Sequence, residues 1–588
     1  MKMTEYLNEA VKEIKRKEMG QKFKLASLKL LIPYIKTQWK KFAVGSILML
    51  SVSLLAMPTP YIMKYIVDDI IIAKKINLLH LAVIILIIIQ LVKLMTSFLT
   101  SYFFNLFNQE IMVRIKKDLF NRILRLPLSF FDKTQTGYLL SRIREVEGLK
   151  FFFSTSLVSF IIGIFEFIFS LAILFYLHWQ LTLFSMLIIP LFYFATKFYA
   201  GGIRRISREV MEKGAVLSRQ IQDSLSGVDV VKIFSAEERE SNKIHLHLED
   251  LKRSDIKQSI ISTFSSEIMS LIGALGGFLV LWFGGISIIK GTFTIGGYIA
   301  FTGYLAKLYG PTQNVAMMGL AFQPAVTALN RVSEFFDMTQ EEDEHLKKIK
   351  LSEKINSIEF KNITFSYGEK KAIENINFII NRNDKLLITG PNGSGKSTII
   401  KLIIGLYKVS QGDIFINNHN LKNILLSSLR EKISVVSQNI FLFNDTIRNN
   451  ILYSKPDAKE TDIERALKLS GSSDLIKRLD LSMDTMVGES GRTISGGEKQ
   501  KISIARALLK DSDVIIFDEA TSHQDAHSIE KIEKLITNEF KNKICIVISH
   551  RSIKTDSVSK IIELKDGHIE RIIDLKQNEF RSNLKPTM

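Results

Sequence analysis

From Phe42 to Met63 the chain runs 22 residues without a charged side chain. At about 1.5 Å of rise per residue, a helix of that length matches the roughly 30 Å hydrocarbon core of a bilayer, so the segment is expected to cross a membrane. Pro58 and Pro60 lie inside it, which a membrane helix tolerates where neighbours satisfy the carbonyls that proline frees. Further spans are expected at Leu78 to about Phe104, Ser154 to Leu177, Gln180 to Thr196, Phe264 to Ile289 and Ile295 to about Phe322. Six helices at 42–330 thus form a membrane domain. Residues 1–41 precede it, with Leu7, Val11 and Ile14 at helical spacing and a surface-lying helix expected before the first span.

Lys and Arg number 78 against 60 Asp and Glu, a net charge of +18. Position decides what that charge means. The connections holding Arg114, Lys116, Arg122, Arg142 and Arg144, and later Arg204, Arg205, Arg208, Arg219 and Arg239, are strongly basic, whereas the opposite side has little more than Lys74, Lys75 and Lys290. Short cytoplasmic loops are enriched in Lys and Arg, so both termini are expected in the cytoplasm and the charge reads as membrane topology, with no nucleic-acid partner. The sole cysteine, Cys545, excludes an intrachain disulfide and a Cys-based metal cluster and reads as a small buried residue.

The two basic connections, about 109–150 and 197–262, far exceed what joining helices requires. Their helix-forming composition implies that the second to fifth membrane helices continue into the cytoplasm, each pair joined by a short turn. Lys93, Glu166, Glu267 and Lys307 are the charges inside the spans. Around Glu166, apolar residues supply roughly 6 kcal/mol toward insertion against about 3 for a carboxylate, so the span inserts regardless. Intramembrane ionisable groups usually face a bundle interior or a wet cavity, which makes Glu166, Glu267 and Lys307 candidates for a substrate path; a paired structural role is the alternative.

Beyond a connector at 331–354 the composition becomes that of a soluble domain, 355–588. The alternating run Ile355–Tyr367 reads as strands. Lys385–Thr389 is a buried-strand pattern, followed by Gly390-Pro391-Asn392-Gly393-Ser394-Gly395-Lys396-Ser397 and a helical Thr398–Ile404. This is a Walker A loop in its strand–loop–helix setting. Its glycines let backbone N–H groups turn inward around phosphates, Lys396 can reach the outer phosphates, and the Ser397 hydroxyl can bind Mg²⁺. A second apolar strand, Val514–Phe517, delivers Asp518 and Glu519. Asp518 would hold the metal's hydration shell and Glu519 would orient or deprotonate the attacking water.

With these motifs on the page, the chain resembles the ATP-binding cassette exporters that carry one membrane domain and one nucleotide-binding domain per chain. Tyr367 matches the aromatic that stacks on adenine, Gln438 in Val435–Phe441 the Q-loop, Ile494–Glu498 the signature motif, His550 in Val547–Arg551 the switch histidine, and Thr485–Gly491 the X-loop. Phe130–Arg142 resembles the first coupling-helix region, and Ser226–Glu237 resembles the stretch after the second. The signature departs from the pattern, with Glu498 where Gln is usual and Ile494 where Leu is usual, and the D-loop reads Ser522-His523-Gln524-Asp525.

The resemblance implies an all-α six-helix transmembrane domain with long cytoplasmic extensions. It implies also an α/β P-loop NTPase domain with an antiparallel β subdomain and an α-helical signature subdomain. It implies ATP and Mg²⁺ as cofactors, with Ser397, Gln438 and Asp518 at the metal, and Glu519, His550 and Gln438 in hydrolysis. Nucleotide would be held by Tyr367, Gly390–Thr398 and, from a second chain, Ser495, Gly496, Gly497 and Glu498. A dimer follows, with a homodimer permitted and a heterodimer open, in the cytoplasmic membrane. The implied function is ATP-driven export of an amphipathic or hydrophobic compound, peptide, lipid or drug; a lipid flippase and an ATP-gated channel or regulator are the rival readings.

Overall fold

Proline breaks the first apolar segment. In the computed structural model, α1 (Trp39–Ala56) stops at Met57 and α2 (Pro58–Tyr65) begins anew. Pro60 supplies no N–H, so Ala56 O, four residues before it, loses its helical donor. Lys307 Nζ replaces that donor, and the Tyr304 hydroxyl donates to the adjacent Met57 O, each at 2.7 Å. Both come from α7 (Ile295–Asp337). Gly303 permits the close approach, since a Cβ there would sit 2.9 Å from Pro60 Cβ.

The structure describes residues 29–134, 136–342, 348–479, 481–488, 494–519, 530, 532–549 and 557–575. The expected surface helix at Leu7–Ile14, the X-loop end Glu489–Gly491, the D-loop Ser522–Asp525 and His550 lie outside them. The chain divides into two compact units, Met1–Leu124 with Gln135–Met338, and Arg125–Thr134 with Thr339–Met588.

In the first unit, Trp39–Ile71, Ile76–Leu124, Thr136–Ser226 and Glu237–Ile289 are helical stretches long and apolar enough to cross a membrane. The second expected span is α3 (Ile76–Leu124). The third and fourth meet at His178, the one non-helical residue inside α4 (Thr155–Met186), with φ −163° and ψ 95°, and the fourth continues through α5 (Ile188–Ser226). The fifth is the C-terminal half of α6 (Glu237–Ile289). Long extensions expected beyond the spans are therefore present in α3, α5 and α6.

The third helix differs. It stops at the extended residue Ser154 and is preceded by a 3₁₀ segment, Val146–Phe153, and a separate helix, Thr136–Glu145. Val146, Leu149 and Phe153 are buried there, and the Phe153 ring meets Phe107 edge-on at 6.1 Å. Only Gly148 marks this break in the sequence. The last helix also runs further than expected, past Phe322 and through position 331 to Asp337. Leu329, Val332 and Phe335 are buried along it, and Arg122 caps its terminal carbonyls at Phe336 (2.8 Å) and Met338 (2.7 Å).

The second unit is built on two sheets. The smaller has the order β2–β1–β4–β5 and is antiparallel throughout: β1 (Ser357–Tyr367), β2 (Lys370–Asn381), β4 (Gln411–Ile416) and β5 (His419–Asn420). The larger has the order β10–β9–β3–β8–β7–β6, in which β3 (Lys385–Thr389), β8 (Ile544–Ile548), β7 (Val514–Asp518), β6 (Ile433–Val436) and β9 (Lys560–Lys565) run parallel and β10 (His568–Asp574) antiparallel. A core of Ile358, Phe360, Ile388, Ile399, Ile516 and Ile546 joins the sheets, with Phe360 stacked on Phe378 at 4.4 Å. A separate helical cluster is organised around Leu442, Ile451, Ile463 and Ile502. Cys545 is fully buried in β8, and burial pushes its thiol up to about 12, which makes it inert packing.

Replacing Tyr304 with Phe removes the hydrogen bond that ties α7 to the Met57 carbonyl at bilayer depth, an expected cost of about 1 kcal/mol. The check is the thermal midpoint of purified protein in detergent, which should fall by a few degrees. A midpoint equal to the parent's would show that the carbonyl is satisfied without Tyr304.

Candidate nucleotide site

Strand β8 lies between β3 and β7, with Lys385 opposite Cys545 and Asp518 opposite Ile548. Parallel register brings the C-terminal ends of all three strands to one edge of the sheet, where open α/β sheets bind ligands. The Gly390 loop, Ser549 and the pair Asp518–Glu519 emerge there together.

The loop after β3 needs glycine at definite points. Gly390, Gly393 and Gly395 have φ of +145°, +82° and +100°, values that side chains with a Cβ rarely adopt. Contact adds to conformation: a Cβ on Gly390 would lie 2.1 Å from Leu564 O, and one on Gly395 2.4 Å from Ile373 Cγ2. The loop ends in α8 (Lys396–Ile403), whose N-cap is Gly395, so free N–H groups and the positive end of the helix dipole face the same space. The Ser394 hydroxyl is buried with no hydrogen-bond partner, a group this loop has not yet satisfied internally.

Lys396 folds over its own loop. Its Nζ donates to Gly390 O and Pro391 O, both at 2.9 Å. Burial holds the ammonium below the usual lysine range, while Glu519 and Asp518 pull it back up. Ser397 Oγ lies 3.4 Å from Asp518 Oδ1, and Gln438 Nε2 donates to Glu519 Oε2 at 2.6 Å. Burial, and next the Glu519 carboxylate, push the Asp518 carboxyl above its ordinary range. A cation would relieve that cost.

Among the described residues no group of three or more His, Cys, Asp or Glu is arranged to hold a metal. A hydroxyl, one carboxylate and an amide fit an ion that keeps waters and takes its remaining ligands from phosphate, which is the habit of Mg²⁺. Glu519 itself has a left-handed backbone, φ +52°, and its N–H donates to Ile548 O at 3.1 Å. Such strain in a non-glycine residue is held by its surroundings and clusters at functional sites.

A cleft of about 680 Å³ opens on these groups, lined among others by Tyr367, Asn392, Lys396, Thr398, Gln438 and Glu519. The Tyr367 hydroxyl is 3.5 Å from Thr398 Oγ1, and Lys401 Nζ stands 5.5 Å from its ring centroid. Lys370, Lys371 and Ser549 also line the cleft and went unread in the sequence; the lysine pair just after Tyr367 was the available signal.

Ser495, Gly496, Gly497 and Glu498 do not line this cleft. They start α10 (Gly496–Lys510), with Ser495 as N-cap in a capping box with Glu498. In the first unit, Glu166 Oε1 accepts from Ser53 Oγ at 2.6 Å, and Lys307 is engaged at the α1 break. Glu267 is exposed on α6.

Gly395→Ala is expected to cost about 1–3 kcal/mol in backbone strain and to abolish nucleotide binding. Loss of the ATP-induced rise in thermal midpoint is the measurement; a retained rise would show that the loop tolerates a Cβ.

The geometry agrees with what other proteins show. The family description "ABC transporter transmembrane region" matches residues 42–312, and "ABC transporter" matches 373–522. The ATP-dependent lipid A-core flippase of Desulfotalea psychrophila is 33% identical over 522 residues, 89% of this chain and 91% of that protein. The protein of the same name from Escherichia coli K12 is 31% identical over 484 residues, 81% of this chain and 82% of its own length. A solved bacterial Atm1-family ABC exporter with ATP bound shares the fold, with a TM-score of 0.80 over 94% of this chain and 97% of that one at 24% identity. The chain belongs to the ABC transporter family, as an exporter half-transporter that joins an N-terminal membrane domain to an ATPase domain and couples ATP hydrolysis to transport.

Proposed function

We propose that two copies of this chain form the working transporter, each ATP held between the Gly390–Thr398 loop of one copy and the Ser495–Glu498 turn of the other. One observation carries this reading: Lys396, Ser397, Gln438 and Glu519 line the cleft, whereas Ser495, Gly496, Gly497 and Glu498 do not. A chain whose phosphate donors sit on two separate surfaces is completed by a second copy. ATP bridges those surfaces better than ADP does, and that differential affinity drives closure and release.

In this reading Tyr367 stacks on the adenine and Lys396 neutralises the outer phosphates. Ser397, Asp518 and Gln438 would hold Mg²⁺, which would supply charge neutralisation for the phosphates. Glu519 orients a water in line with the γ-phosphorus and takes its proton as the water oxygen bonds to phosphorus and the bond to ADP breaks. Gln438 aims the Glu519 carboxylate, and His550 takes the γ-phosphate role that its match to the switch histidine implies. Charge placement and positioning supply most of such a barrier reduction.

Both termini and the ATPase domain lie on the cytoplasmic side of the plasma membrane in this proposal, supported by the basic connections. Two tips carry the motion. Arg125–Thr134 clusters with the nucleotide-binding unit, where Asp132 accepts from the Tyr407 hydroxyl and Leu128 packs on the core. At the other tip Val228, Val230, Ile233 and Phe234 are exposed, an apolar turn ready to be covered in a dimer.

The cargo in this reading is an amphipathic or hydrophobic compound, peptide, lipid or drug. Lipid translocation, the activity in the names of the relatives at 31–33% identity, fits the same reading as the alternative form. Inside-out vesicles test the reading. ATP-dependent accumulation or lipid translocation is expected, and Glu519→Gln should lower turnover by about 10²–10⁴-fold and end transport. Passive flux that ATP merely gates would overturn pumping in favour of a channel.

A further inference from the structure

The signature turn of this chain carries a carboxylate that must coexist with a triphosphate. Glu498 Oε2 accepts from the Ser495 backbone N–H at 2.9 Å and from the Ser495 hydroxyl at 2.8 Å, while Glu498 N–H reaches Ser495 Oγ at 3.4 Å. These bonds stabilise the start of α10. They also occupy the hydroxyl that the proposed dimer needs for the γ-phosphate, and they set a negative charge beside it. The Ser495 N–H, foremost, holds the Glu498 carboxyl below the usual carboxylate range, so the group is anionic at neutral pH.

The second carboxylate oxygen has its own partner. Arg478, the last residue of α9 (Ser473–Arg478), donates from Nη2 to Glu498 Oε1 at 2.9 Å. Its Nε faces the Asp474 carbonyl at 3.3 Å. The Arg478 side chain is 66% exposed and that of Glu498 21%. Ion pairs this open to water contribute little to folding stability, so stability gives a weak reason for the contact. Electrostatics gives a stronger one: an anionic ligand approaching α10 meets the bare Glu498 charge less when Arg478 is paired with it than when Arg478 is gone.

We propose that Arg478 is a positioning residue for ATP turnover, anchoring and neutralising Glu498 so that the Ser495 hydroxyl and the first amides of α10 can receive the γ-phosphate of ATP bound to a second copy. The inference rests on the shared-site reading given above. It assigns a role to a pair created by the Glu498 departure, and with Gln at that position Arg478 has no charge to offset.

The experiment is a double-mutant cycle in full-length protein in lipid nanodiscs, with ATPase rate measured against ATP concentration. Arg478→Gln is expected to raise KM for ATP about five- to tenfold, by weakening the closed state, with a smaller change in kcat. In the Glu498→Gln background the same substitution should change KM less than twofold, and Arg478→Lys, which keeps the charge, should restore most of the parent KM. An equal effect of Arg478→Gln in both backgrounds, or no effect in either, overturns the proposal. Ser495→Ala separates the two levels: full turnover in that variant defeats the shared site itself, whereas lost turnover with no coupling in the cycle defeats only the role of Arg478.

Discussion

The nucleotide site depends on the register of three parallel strands. With β8 held between β3 and β7, Asp518 lies opposite Ile548 and the loop after β3 opens at the same edge. A slip of one residue would turn every side chain of a strand to the other face and carry Asp518 away from Ser397. The register is secured by burial on both faces, which is why Leu386–Ile388, Val514–Phe517 and Ile544–Ile548 are unbroken apolar runs. The left-handed Glu519 is a local cost carried by that packing. Its N–H bond to Ile548 ties the strained residue to the strand beside it.

A different constraint rules the membrane unit, where water cannot satisfy a stray carbonyl. The break at Met57 is tolerated because Lys307 reaches across from α7 to the Ala56 carbonyl that Pro60 leaves open, and Tyr304 bonds the Met57 carbonyl beside it. Lys307 therefore has structural work where a charge at bilayer depth would first suggest cargo. Glu166 is likewise partnered, by Ser53. An intramembrane polar group that contributes to the scaffold is still available to a ligand, but a ligand that takes it must repay the scaffold with an equivalent hydrogen bond.

The nucleotide-binding unit places anions at two points and sets a cation beside each. Asp518 and Glu519 stand side by side near Lys396, and Glu498 stands at the mouth of α10 with Arg478 behind it. In the proposed dimer each anion stands where a more negative ligand would come, and a neighbouring cation would make the approach possible. This is the electrostatic form of preorganisation: charge is arranged before the reacting group arrives.

Much was legible in sequence because the signals were local. Uncharged runs marked the spans, and the Gly390–Ser397 spacing marked the phosphate loop, since positive φ at Gly390, Gly393 and Gly395 demands glycine. Breaks held by distant contacts were not legible. The 3₁₀ segment before Ser154 exists because Phe153 and Leu149 are buried against residues far along the chain, and α7 runs to Asp337 because Arg122, more than two hundred positions earlier, caps its end. The same holds for the site: Lys370, Lys371 and Ser549 join the cleft through strand pairing, and Arg478 meets Glu498 twenty residues on. Sequence alone determined which residue types the chemistry would use, because phosphate, metal and bilayer each accept few chemical groups. Tertiary structure decided which of those groups stand close enough to share a charge or a proton, because separation in space is set by packing between segments that no spacing rule connects.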